Sequence, residues 1–159
     1  MQIQQLCEDI RGNLTVYEAV VLMMTALGSL RCHDKSRVIP VGYSMLLILY
    51  ITLLRRTPEY NEEIRYHISF LPDVKVWTGN LLNVILYIPL GGTIYNMAAS
   101  IKGTAFAALL SSVLCEIIQY FTHRGVADIN DVLFNLIGAC AGALLFRAFR
   151  AFKKKKDLQ

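Results

Sequence analysis

The sequence predicts an all-α, polytopic membrane protein: four transmembrane helices with an N-terminal amphipathic or interfacial helix. Three observations lead there. Of 159 residues, 55% are apolar and only 18% charged, and the mean hydropathy is positive, a balance foreign to soluble globules. Apolar runs alternate with short charged breaks instead of mixing with them. The polar residues inside the runs recur at spacings of three and four, so each helix keeps one face for neighbouring helices and leaves the rest to lipid. The length suits one domain. It divides into an N-terminal amphipathic extension (1–36), a four-helix transmembrane domain (37–151) and a basic tail (152–159).

Residues 15–30 place Glu18, Thr25 and Ser29 on one helical face and Val16, Val20, Met23 and Leu27 opposite. That pattern fits an amphipathic helix on the membrane surface or against the bundle. Residues 38–54 carry no charge and are just long enough to span, with Pro40 suited to the first turn. Residues 55–78 are long for a helical connection. They mix charges with Tyr60, Tyr66, Phe70 and Trp77, which suits an interfacial segment with a short helix over 60–69. The second span is 81–101, with Pro89 and Gly91 predicting a kink and with Asn80, Asn83, Tyr87 and Gly91 on one inward face. Lys102 and Gly103 form the predicted turn into the third span, 104–121, where Ser112, Glu116, Gln119 and His123 share a face. The fourth, 129–149, aligns Asp128, Asp131, Asn135, Gly138 and Gly142. Gly138 and Gly142, with Ala139 and Ala143 beside them, form a small-xxx-small packing face.

Lys153, Lys154, Lys155 and Lys156 follow a hydrophobic helix, so they are read as positive-inside and lipid-headgroup signals and not as a nucleic-acid patch. The C-terminus is therefore expected in the cytoplasm of a multi-pass inner (cytoplasmic) membrane protein. Four spans put the N-terminus there too, and turn 55–78 and 122–127 outward. Residues 1–13 do not read as a signal peptide. Cys7, Cys32, Cys115 and Cys140 show neither a disulfide framework nor CxxC spacing.

That orientation brings Thr52, Arg55, Arg56, Asn83, Glu116, Gln119, His123, Arg124, Asp128 and Asp131 to one outer level, and Asn135 joins them as a candidate pocket residue. In the plainest reading they only hold helices together: Asp128 or Asn130 as a cap, Gln119 and Asn135 bonding across helices, Arg124 paired with Glu116. In a second reading they bind a lipid-linked headgroup, the arginines meeting phosphate and the acids and amides meeting sugar or peptide groups. In a third they are catalytic, with Glu116 as general acid or base and Asp131 or Asp128 as its partner. His123 with the aspartates is a weak cation set. HExxH and GxSxG motifs are absent, and no metal or cofactor is expected. His33 and His67 lie among charges and read as solvated.

An ordered motif set runs through these positions: Tyr50, Thr52, Leu53 and Arg56; Asn83, Pro89, Leu90 and Gly91; Glu116 and Gln119; Arg124; then Asp128, Asp131, Asn135, Gly138 and Gly142. Over residues 38–150 it resembles the VanZ-like family, named after a membrane protein that accompanies glycopeptide-resistance clusters. The resemblance implies a small polytopic membrane protein and a link to teicoplanin-type lipoglycopeptide susceptibility. The partners expected on both grounds are membrane lipids and a lipid-linked envelope precursor or lipoglycopeptide. A purely structural or partner-binding protein is the bland alternative.

Overall fold

The computed structural model describes residues 16–29, 37–54, 64–65 and 74–156. Helix α1 is Val16–Ser29; α2 is Val38–Leu49, continued by a π-helical turn over Tyr50–Leu54; α3 is Val74–Ala98, α4 Ile101–Thr122 and α5 Ile129–Lys156. Three helices are long and apolar enough to cross a membrane (Trp77–Ala98, Ile101–Thr122 and Ile129–Lys156), whereas Val38–Leu54 is apolar but shorter.

Polarity is distributed inside out relative to a soluble bundle. Phe106, Leu110, Phe121, Leu145 and Phe152 project outward, while Ser44, Thr93, Thr104, Ser112, Gln119 and Asn135 are buried. A surface of that kind suits lipid. The apolar core runs through Ile48, Leu86, Leu90, Ile94, Ala108 and Ala139.

Helices α3 and α5 share the most extensive interface; α4 packs on both, α2 on α3, and α1 on α2 and α3. Because α4 returns the chain, α3 and α5 run parallel. Glycine lets them touch. A Cβ on Gly138 would overlap the Val84 carbonyl, one on Gly142 the Ile88 carbonyl, and one on Gly91 the Ala139 backbone. The hydrogens in those places face carbonyl oxygens, as in Cα–H···O contacts between close helices. A Cβ on Gly92 would meet the Phe146 ring. Pro89 is buried within α3, which stays helical through it.

Several expected boundaries move. The helix predicted from Leu81 begins at Val74, taking Lys75, Trp77 and Thr78 out of the expected loop. Pro72-Asp73 in the sequence is a start signal just ahead of it. The turn into α4 is at Ala99 and Ser100, not Lys102 and Gly103. Ala99 takes a left-handed backbone (φ 52°), and the Ser100 hydroxyl accepts the Gly103 N–H (3.1 Å), an N-cap that overrides the glycine signal. The helix expected over 60–69 is contradicted at Ile64–Arg65, which forms a short strand (β1) pairing in parallel with Ala127–Asp128 (β2); its other residues lie outside the described ones. The four tail lysines are the last turn of α5, where cations oppose the helix dipole. In α1 the polar face turns inward: Glu18 is buried, and Val20, Met24 and Leu27 face out.

At the opposite end from the expected site, Arg37 donates to the Asn96 carbonyl (3.2 Å), tying the start of α2 to the end of α3.

Candidate functional site

The end of α2, the starts of α3 and α5 and the end of α4 meet at one end of the bundle. The π turn at Tyr50–Leu54 is the last described turn of α2, and the late carbonyls of a helix take donors from outside it. Side chains from the α4 end supply them: Gln119 Nε2 donates to the Thr52 carbonyl (3.3 Å) and Arg124 to the Leu53 carbonyl (3.1 Å). Thr52 spends its own hydroxyl on Ile48 (2.7 Å), so its contribution here is backbone.

α4 ends on His123, left-handed at φ 52°. The Arg124 N–H bonds the Gln119 carbonyl (3.1 Å) and the His123 N–H that of Tyr120 (3.3 Å), a Schellman pattern with histidine in the usual glycine place. The chain then turns back so that the Asp128 N–H donates to Glu116 Oε2 (2.8 Å). Glu116, only 8% exposed, thus sits against the positive end of α5. The Asp128 carboxylate accepts from the Asn130 N–H (2.8 Å) and side-chain amide (2.9 Å), making it the cap of α5. One turn on, Asn83 donates to Asp131 Oδ1 (2.6 Å), joining α3 to α5.

Deeper still, Asn135 donates to Ser112 Oγ (2.9 Å) between α5 and α4. The Tyr87 hydroxyl lies beside the Ser111, Ser112 and Cys115 side chains. Tyr87 Oη, Asn135 Oδ1 and Gln119 Oε1 are buried without a hydrogen-bond partner among the described residues.

Of the residues expected from sequence, Asn83, Glu116, Gln119, Arg124, Asp128, Asp131 and Asn135 each take part in one or more of these separate bonds, and Thr52 enters by its carbonyl. Arg56 lies outside the described residues, as do Arg55, Tyr60, Tyr66 and Phe70. Gly91, Gly138 and Gly142 lie in the α3–α5 contact, and Pro89 is buried within α3. Asp128 is foremost a cap, and Arg124 closes the end of α2. Sequence reasoning put Tyr87 and Ser112 on inward faces without assigning them to the site; the signal that places them there is their four-residue spacing from Asn83 and Glu116. Among the described residues no three of His, Cys, Asp and Glu gather as a metal set would.

Compared with known proteins, the chain matches the family model VanZ/LLP1 over residues 14–150. The match takes in α1, which the motif resemblance, beginning at residue 38, left out. No curated protein and no solved structure matches the chain.

Proposed function

The chain belongs to the VanZ/LLP1 family, and from that premise we propose that it is a four-span inner-membrane protein whose outward-facing polar end binds a lipid-linked envelope component. By the same binding it would alter susceptibility to teicoplanin-type lipoglycopeptides. The supporting observation is that Glu116, buried in an apolar helix, accepts the Asp128 N–H, with half-buried Asp131 and Arg124 at the same end of the bundle. Polar bonds between membrane helices contribute only about 0.6–2 kcal/mol each. Submerging a carboxylate costs several. Stability alone therefore gives little reason to keep an acid there, whereas a hydroxyl- or phosphate-bearing headgroup gives one.

The test is lipid mass spectrometry on gently purified protein. One headgroup class should co-purify with the wild type and be lost in Glu116→Gln, which keeps an oxygen for the Asp128 N–H and so spares the fold. Equal recovery of that lipid from the variant would reject the pocket. For the orientation, a reporter fused after Gln159 should be active only on the cytoplasmic side.

A further inference from the structure

The two ends of the bundle carry charge differently. At the polar end Glu116, Asp128 and Asp131 stand with Arg65 and Arg124, so both signs are mixed. At the other end cations converge from three helices. Arg37, at the start of α2, bonds the Asn96 carbonyl near the end of α3. Gly142 lies against the Ile88 carbonyl, so Asn96 and Arg150, each eight residues further along parallel helices, share a level. Asn135 bonds Ser112, so Lys102, ten residues back along antiparallel α4, is level with Leu145 and close to the height of Arg147. Beyond them α5 adds Lys153, Lys154, Lys155 and Lys156, all exposed. Among the described residues of α2 to α5, that end holds no carboxylate.

Depth decides what these cations meet. Helix α5 has 28 residues, about 42 Å of helix, which matches a bilayer with both headgroup layers, about 40–45 Å. From Asp131 to Arg150 the rise is about 28 Å, close to a hydrocarbon core of about 30 Å. The lysines stand about 5–9 Å further out, within the headgroup layer. Phe149 and Phe152, 49% and 74% exposed, flank that boundary, where apolar side chains reach the acyl chains beneath a basic surface. The helix continues through the lysines, so Lys153 and Lys156 share a face and repel each other. Phosphate groups between them relieve the repulsion, and lipid supplies phosphate at that depth.

An orientation signal needs only the sum of these charges. A binding surface needs them gathered at one depth and rigidly held, as they are. We propose that this end is a docking surface for anionic phospholipid headgroups, formed by Arg37, Lys102, Arg147 and Arg150 with the lysine turn beyond them. Anionic lipid thereby gathers around the protein in one leaflet. Nothing in this depends on what the polar end binds.

Trp77 is the single tryptophan of the chain and lies at the polar end, 47% exposed, so each end can carry its own reporter. The test reads tryptophan quenching in phosphatidylcholine nanodiscs holding a minor share of chain-brominated lipid, either phosphatidylglycerol or phosphatidylcholine. Wild type reports the polar end; Trp77→Phe combined with Phe152→Trp reports the basic end. At the basic end brominated phosphatidylglycerol should associate roughly fivefold more strongly than brominated phosphatidylcholine, the effect of about one basic residue at a charged surface. Added salt should shrink that preference. So should Lys153→Gln, Lys154→Gln, Lys155→Gln and Lys156→Gln made together, which keep helix propensity. Trp77 should report a smaller preference or none. Native mass spectrometry of the wild-type chain, with the two lipids supplied in equal amounts, repeats the comparison without substitution and should show phosphatidylglycerol in excess. Equal quenching by both lipids at position 152, a preference that neither salt nor the four substitutions reduce, one equally large at Trp77, or no excess on the wild-type chain would overturn the docking surface.

Discussion

Replacing Gly142 by alanine should split the bundle along α3 and α5. The added carbon would overlap the Ile88 carbonyl and come within 2.9 Å of the Gly92 nitrogen. Both obstacles are helical backbone, with no flexible side chain to swing aside, so the helices must separate. Overpacking of a close interface typically costs about 1–3 kcal/mol, and the lost Cα–H···O contact adds about 0.5–1 kcal/mol, for a total of roughly 2–4 kcal/mol. The assay is reversible unfolding in mixed micelles followed by circular dichroism. The internal controls are Gly42→Ala and Gly79→Ala, also within helices but with nothing inside 4 Å of the new carbon. Those should gain up to about 1 kcal/mol from helix propensity. The same chemical change thus has opposite signs at different positions. Equal effects at Gly142 and Gly79 would refute the close approach of α3 and α5.

Further outcomes follow from the same geometry. Ala99→Gly should stabilise by about 1 kcal/mol, since a left-handed alanine carries strain that glycine lacks; a lower unfolding midpoint would contradict the turn at Ala99. Asn83→Ala should cost about 1–3 kcal/mol through its bond to a carboxylate, and Asp131→Asn should couple to it in a double-mutant cycle. Arg124→Ala should loosen the end of α2, because it removes the one nitrogen, Nη1, that donates to both the Leu53 and Leu54 carbonyls. Faster amide exchange near Tyr50–Leu54 would register this, and unchanged exchange would count against the cap.

Helical spacing made the faces readable in advance. Asn80, Tyr87 and Gly91 are buried as their shared face requires, and so are Ser112, Glu116 and Gln119. Periodicity names a face but not a partner, and the partners are where the structure adds most. Glu116 meets a backbone amide at the start of the next helix, and Arg124 and Gln119 meet carbonyls of the π turn. Neither kind of contact leaves a side-chain pattern. Ser100 was hidden by the louder glycine at 103, and His123 occupies a conformation for which glycine is the usual signal. The inward turn of Glu18 was unreadable for another reason: an amphipathic pattern looks the same whether its polar face meets water or a polar bundle.

The parallel run of α3 and α5 also fixes an order of assembly. Asn83 and Tyr87 leave the ribosome well before Asp131 and Asn135, and α4 must cross back before α5 can lie beside α3. During that interval the polar faces of α3 and α4 are in the membrane without the helix that joins them. A truncation ahead of Asp128 would hold the chain at this stage, with Glu116 deprived of the amide it accepts from and the glycine contact surface of α3 open to lipid. Helix α5 is thus the one that completes the polar end, and quality control of nascent chains would find its clearest target just before that helix arrives.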